Sequence, residues 1–277
     1  MSIRIEEVDE SLLDDEIHLC LPPRNSQQYA AFVSGVEKKR AWLGKRLREL
    51  GSVAQIAYSK RQPVAFIEYV SATSAPIPTV EGEKTALITC IYKPKFQGKG
   101  IGTKLVQAAL GRLRQLDIRR AKTLVARDPH WINSGIYLKN GFQLEKTFFK
   151  PGGTEPLDLL TLNLEGAETH AEEPTTIRFV PSVSDALPVG VVHFSSGQCP
   201  FNALIHSKLL KALEKFDSRH VVLEVLDSWE NCRLARECGA MYSDIFVNGR
   251  ASFLGPATQE KIEEEIRKEI ERIRKLG

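Results

Sequence analysis

Apolar positions recur along this chain with two different periods, and the switches between them outline its elements. Residues 3–8 alternate (Ile-Arg-Ile-Glu-Glu-Val), as a half-buried strand does. A short acidic helix is expected over 10–18, ending at Leu21-Pro22-Pro23. Tyr29, Phe32, Val33, Val36, Trp42, Leu43 and Leu47 then recur at three- and four-residue steps, which predicts one helix over 26–50, stopped by Gly51. Strands are expected over 52–58 and 63–71, joined by Lys60-Arg61-Gln62, and the Ser-, Thr- and Pro-rich stretch 71–83 reads as a loop. A β-branched apolar run over 86–92 predicts a strand, followed by a helical pattern over 103–116. A strand over 122–126, a helix over 131–140 and strands over 141–145 and 158–164 complete this part.

Residues 165–176 contain no large apolar side chain and read as a linker. A second pattern begins beyond it. Strands are expected over 177–180 and 189–194, a helix over 202–216, a strand over 221–225 and a helix from about residue 229 that contains Cys232 and Cys238. Strands over 244–248 and 250–254 meet at Asn248-Gly249, the residue pair that favours a type I′ hairpin turn. A last helix starts at Pro256-Ala257-Thr258 and carries Ile262, Ile266, Ile270 and Ile273 along one stripe. The fold class is therefore α/β (α+β), with one domain over 1–164 and a second over 177–277.

Composition narrows the function classes. The 277 residues suffice for two domains, and 42% apolar residues can build a core for each. A net charge of +3, with acids interspersed among the bases as in Glu37-Lys38-Lys39-Arg40, gives no reason to expect nucleic acid as a partner. There is no N-terminal apolar signal region, and no apolar run approaches the ~20 residues of a membrane span, so a soluble, cytoplasmic protein is expected. Cys20, Cys90, Cys199, Cys232 and Cys238 form no Cys-x-x-Cys pair and lack zinc spacing, so neither a disulfide framework nor a metal site is expected.

Candidate chemistry lies between the 86–92 strand and the 103–116 helix, in Tyr92-Lys-Pro-Lys-Phe-Gln97-Gly98-Lys99-Gly100-Ile101-Gly102. Glycines there let the chain turn sharply and approach a ligand, and free N–H groups at the helix start favour a phosphate. The spacing fits neither the P-loop nor the Gly-x-Gly-x-x-Gly dinucleotide fingerprint. Gln-Gly-x-Gly-x-Gly closely resembles motif A of the GNAT acetyltransferases, in which this turn holds the pyrophosphate of coenzyme A. Downstream, Ile136-Tyr137-Leu138-Lys139-Asn140-Gly141-Phe142 is similar to the Tyr-x-Lys-x-Gly-Phe ending of the family's motif B.

The resemblance, over roughly 1–164, implies a GNAT fold with a mixed, splayed central sheet. It implies acetyl-CoA as co-substrate, with no metal. It assigns the cofactor to the backbone of Cys90, Ile91 and Tyr92, to Gln97, Gly98, Lys99, Gly100, Ile101, Gly102 and Thr103, and to Asn133. The Asn133 assignment follows because His130 stands where many members carry Asn. Tyr137 matches the residue that protonates the departing thiolate. An amine acceptor needs only a modest base, often through water. Glu68, on the third strand, is the candidate, with His18, His130 and Asp128 as alternatives.

The second region resembles the thioredoxin-like fold. Its turn Ser196-Gly197-Gln198-Cys199-Pro200-Phe201-Asn202 is similar to the Cys-Pro-Tyr-Cys site of glutaredoxins, with Asn202 in place of the resolving cysteine. The strand before the hairpin, Met241-Tyr242-Ser243-Asp244-Ile245, lacks the proline that thioredoxins carry. Cys199 at a helix N-terminus is a possible reactive thiol. A GNAT domain joined to such a region resembles the YoaP-like acetyltransferases. Direct acetyl transfer, in a ternary complex, to the primary amine of a small molecule, peptide or protein is the leading expectation. A monothiol redox or thiol-binding protein with a coenzyme-A-sensing domain is the alternative. The family resemblance leaves a homodimer open.

Overall fold

The structure, a computed structural model, describes residues 3–77, 82–92, 100–126, 134–149, 156–165, 175–176, 184–240, 244–254 and 257–276. Two compact units account for it. The first comprises Met1–Tyr29, Arg40–Ala75 and Thr79–Thr176, the second Ala30–Lys39, Pro76–Pro78 and Ile177–Gly277.

The elements of the first unit run β1 (Ile3–Glu7), α1 (Leu13–His18), α2 (Val33–Leu50), β2 (Ala54–Ser59), β3 (Gln62–Ser71), β4 (Thr85–Tyr92), α3 (Ile101–Gln115), β5 (Arg120–Ala126), α4 (Ser134–Leu138), β6 (Gln143–Phe149), β7 (Leu157–Asn163) and β8 (Thr175–Thr176). Residues 33–39 of α2 cluster with the second unit. The strands form one mixed sheet in the order β1-β2-β3-β4-β5-β7-β6-β8. β4 and β5 are parallel, and α3 supplies the crossover that a parallel pair needs. Helix α3 repeats its apolar residues at helical spacing, and Ile101, Leu105, Val106, Ala109, Leu110 and Leu113 bury themselves against Ala65, Ile67, Tyr69, Ala86 and Ile88 of the sheet. Each of the Ile, Leu and Val side chains among these contributes roughly 1.5–3 kcal/mol on burial, which fixes α3 and hence its N-terminus on the sheet.

Element boundaries differ from the sequence pattern in informative places. The helix expected over 26–50 starts as a 3-10 segment, Gln27–Phe32, and becomes α-helical at Val33. Tighter turns of this kind are common at helix starts. The helix expected from 103 begins at Ile101, immediately after Gly100 turns the chain at φ 70. The strand expected over 141–145 lies at Gln143–Phe149, because Gly141 (φ 89) is used to end α4. The last two residues of the expected linker, Thr175 and Thr176, pair in parallel with Phe148 and Phe149 of β6.

The second unit contains β9 (Val189–Ser195), α5 (Asn202–Leu213), β10 (Val221–Asp227), α6 (Cys232–Glu237), β11 (Asp244–Val247), β12 (Ala251–Leu254) and α7 (Gln259–Arg274). Its sheet order is β10-β9-β11-β12, with β9 and β10 parallel and the other neighbours antiparallel. Val189 and Val191 turn to one face, where Ile205 and Leu209 of α5 and the α7 stripe Ile262, Ile266, Ile270 and Ile273 cover them. Phe194 and Phe246 turn to the other face, against Ala235 of α6. Thr258 caps α7 by accepting from the Lys261 N–H. Asn248 and Gly249 both take positive φ (48° and 64°), as the hairpin turn requires. The strand expected over 177–180 lies outside the described residues.

Candidate active site

The chemistry-bearing residues of the first unit gather where two strands part. β4 and β5 pair from Thr85↔Arg120 to Ile88↔Thr123 and no further, although β4 continues to Tyr92 and β5 to Ala126. Past that point β4 pairs only with β3, as Glu68↔Cys90, Ile67↔Ile91 and Phe66↔Tyr92, while β5 pairs with β7. Backbone groups of an antiparallel pair alternate between its two sides. Part of the Cys90–Tyr92 backbone therefore addresses the gap that β5 leaves, among the described residues. The register of β3 on β4 also slips. Glu68 pairs with Cys90 but Tyr69 with Ile88, so Thr89 is an extra residue, a β-bulge.

Opposed residues of an antiparallel pair share a face. Phe66, Glu68, Cys90 and Tyr92 thus form one patch. The Phe66 and Tyr92 rings lie 6.0 Å apart, tilted by 31°. Glu68 is fully buried, and its Oε1 accepts a 3.1 Å hydrogen bond from Thr89 Oγ1. Burial pushes the Tyr92 hydroxyl pKa up, and the neighbouring Cys20 and Cys90 thiols push it further. His18, on α1, has Nδ1 2.7 Å from the Asp14 carbonyl and Nε2 2.7 Å from the Tyr29 hydroxyl.

Tyr137 sits on α4 and is fully buried, edge-on to Phe142 with ring centroids 5.3 Å apart. The end of α4 is locked by Gly141 N–H to Leu138 O (3.1 Å), Phe142 N–H to Tyr137 O (3.2 Å) and Asn140 Nδ2 to Ile136 O (2.7 Å). The hydroxyl that this lock fixes in place has no hydrogen-bond partner among the described residues, and neither has Thr123 Oγ1. The Thr123 side chain acts on the Tyr137 hydroxyl as a nearby hydrogen-bonding group, although the two oxygens do not meet strict hydrogen-bond geometry. Burial drives the Tyr137 pKa well above the ordinary tyrosine range; Thr123 opposes the rise and Cys90 adds to it. A buried, unpaired hydroxyl costs about 1–3 kcal/mol.

The start of α3 is the third component. Gly100 takes a left-handed φ of 70°, and a Cβ built there would meet nothing within 4 Å. Among the described residues no side chain caps the helix, whose first N–H groups have no partner within the helix itself. Ile101 and Gly102 are buried in its first turn and Thr103 is half-buried. The donor set fits a pyrophosphate, and the gap with its orphaned hydroxyl fits a thioester arm. Gln97, Gly98, Lys99, Asp128, His130 and Asn133 lie outside the described residues. Sequence reasoning missed Thr89 and Thr123. A threonine in a strand carries no local signal, and only the register assigns them a place.

In the second unit Cys199 is exposed on the turn between β9 and α5. Ser196 organises that turn. Its Oγ accepts from Trp229 Nε1 (2.9 Å) and from the Gln198 N–H (3.1 Å), and its carbonyl accepts from Asn202 Nδ2 (2.9 Å). Phe32 meets Phe201 edge-on at 4.9 Å, and Gly35 lies against the Pro200 backbone. His193 and His206 stack with Nδ1 atoms 3.2 Å apart. Cys238 is buried, which raises its thiol pKa. Among the described residues no group of three or more His, Cys, Asp or Glu side chains could hold a metal, and no helix is long and apolar enough to cross a membrane.

Residues 15–142 match the sequence model of the acetyltransferase (GNAT) family. No curated protein matches the chain. Among solved structures, an N-acetyltransferase from Staphylococcus aureus Mu50 is similar at 15% identity, covering 59% of this chain and 99% of its own, with a TM-score of 0.45. The acetyltransferase YncA from Salmonella typhimurium, solved with its cofactor acetyl-CoA, is similar at 15% identity (60% and 96% covered, TM-score 0.44). The PaiA N-acetyltransferase from Thermoplasma acidophilum, in complex with coenzyme A, is similar at 20% identity (59% and 99% covered, TM-score 0.41).

Proposed function

We propose, from the match of residues 15–142 to the acetyltransferase (GNAT) family model, that the chain is an acyltransferase and moves an acetyl group from acetyl-CoA directly to a primary amine in a ternary complex. The acceptor is a small molecule or a peptide or protein amine. The observation that carries this reading is the parting of β4 from β5 beside the orphaned Tyr137 hydroxyl. Acetyl-CoA supplies an activated thioester. The Cys90, Ile91 and Tyr92 backbone would hold its pantetheine arm, and the turn through Gly100 with the first N–H groups of α3 would hold its pyrophosphate. By the family resemblance, Gln97, Gly98, Lys99, Thr103 and Asn133 would contribute to holding the same cofactor.

The chain's own residues divide the proton work. Tyr137, protonated at neutral pH as a phenol is, would donate a proton at its hydroxyl to the leaving sulfur. Glu68 would accept the proton that the ammonium group must lose before it can attack. Positioning two reactants in one gap supplies the larger part of the rate gain.

The reading extends to the rest of the chain. The domain scheme is an acetyltransferase over 1–164, a linker over 165–176 and a thioredoxin-like region over 177–277. The β10-β9-β11-β12 order, with its one parallel pair, and the exposed Cys199 at the β9–α5 turn support the last of these. Asn202 is buried and hydrogen-bonded to Ser196, so no resolving thiol serves Cys199 there, and a monothiol role is the second reading. Five free cysteines suit a reducing, cytoplasmic setting.

Calorimetric titration with acetyl-CoA tests the first reading, followed by a screen of primary amines for acetyl-CoA-dependent acetylation. Micromolar binding with turnover is expected. A folded protein that does not bind acetyl-CoA, but whose Cys199 alkylates selectively at neutral pH, overturns it in favour of the thiol reading.

A further inference from the structure

We infer that Thr89 is the positioning residue for the Glu68 carboxylate, and that the β4 bulge exists to put it there. This rests on the reading of Glu68 as the group that accepts the acceptor's proton. Without the bulge, the pairing Glu68↔Cys90 would continue as Tyr69↔Thr89, and the Thr89 side chain would share the face of Tyr69. That face packs against α3. With Thr89 as the extra residue, Tyr69 pairs with Ile88 instead, and the Thr89 hydroxyl reaches the Glu68 face, donating to Oε1 at 3.1 Å. A bulge can re-aim a side chain in this way at the edge of a site.

Burial gives the contact its importance. Glu68 is 0% and Thr89 3% exposed. A carboxylate taken from water favours its neutral form unless hydrogen bonds compensate its charge. A hydroxyl that donates to the carboxylate does so, and it also fixes one rotamer. The bulge follows immediately on Ile88, the last residue through which β4 pairs with β5. The irregularity that aims Thr89 at the carboxylate therefore sits next to the last pair that joins β4 to β5.

The test uses the full-length protein with 13C-labelled glutamate. The Glu68 carboxyl resonance is assigned by its disappearance in Glu68→Gln, and its titration is followed by NMR. In Thr89→Val, which keeps the shape and removes the hydroxyl, the Glu68 pKa should rise by about one unit or more. Thr89→Ser, which keeps the hydroxyl, should restore the wild-type titration. Thr89→Ala serves as a second hydroxyl-free variant should the β-branched one fold poorly. A Glu68 titration unchanged in both hydroxyl-free variants overturns the inference. The reading beneath it fails separately, if Glu68→Gln retains wild-type acetyl-CoA-dependent acetylation of primary amines while the Thr89 variants still shift the Glu68 titration.

Discussion

Ile88 and Thr123 are the last pair that joins β4 to β5. One residue further, β4 bulges at Thr89, and beyond it the two strands belong to different partners. The side chains assigned to the chemistry surround this point. Tyr137 is influenced by Thr123 and Cys90, and Glu68 pairs with Cys90. Burial raises the Tyr137 pKa, and the Thr89 hydroxyl donates a hydrogen bond to the Glu68 carboxylate.

Removing the Tyr137 hydroxyl separates catalysis from folding. Tyr137→Phe should lower kcat by about 10²-fold or more with acetyl-CoA affinity retained. Because the hydroxyl is buried without a partner among the described residues, its loss should leave the melting temperature unchanged or slightly higher. Steady-state kinetics and thermal unfolding on the same sample check both. A variant that melts lower and turns over normally would mean that the hydroxyl is structural.

At Gly100 the expected failure is in binding. A side chain there points into open space, and the φ of 70° is one that Asp tolerates better than most residues. Gly100→Asp should therefore fold. Its negative charge at the α3 N-terminus should repel a pyrophosphate and weaken acetyl-CoA binding at least about tenfold. Calorimetry on the variant decides it.

Gly35→Ala should destabilise the second unit. Alanine gains about 1 kcal/mol of helix propensity over glycine. Its Cβ, however, would lie 2.4 Å from the Pro200 carbonyl oxygen. Backbone cannot rotate away as a side chain can, and overpacking of this kind costs about 1–3 kcal/mol. The clash should win, read as a lower midpoint in urea unfolding.

The His193–His206 pair predicts a pH dependence. Burial, then His206, then Lys38 push the His193 pKa from 6.5 down to about 4. Burial and Lys38 lower that of His206 as well. Between these pH values the unfolded chain binds a proton that the folded one refuses. Stability is therefore full above pH 6.5 and is lost as pH falls toward 4, by an amount on the order of 3 kcal/mol for His193. Urea midpoints measured across this range should fall in the wild type and fall less in His193→Gln. A wild-type midpoint flat between pH 7 and 4 would refute the shift.

The sequence by itself determined the order of elements, and it did so where the signal is local. Apolar side chains at helical spacing set α3 and α7, and alternation set β1 and β7. Residues that tolerate positive φ set the turns at Gly51, Gly100, Gly141 and Asn248-Gly249. The position of Tyr137 was legible for the same reason, because Gly141 ends its helix four residues later. What only the tertiary structure decided depends on register. The parting of β4 from β5, the bulge at Thr89 and the Thr89–Glu68 bond arise from pairing between segments distant in sequence. The facing of His193 and His206 is of the same kind, as is the pairing of Thr175 and Thr176 with β6. A one-residue slip costs nothing in local propensity and turns a side chain to the opposite face, so no periodicity within a single strand encodes it.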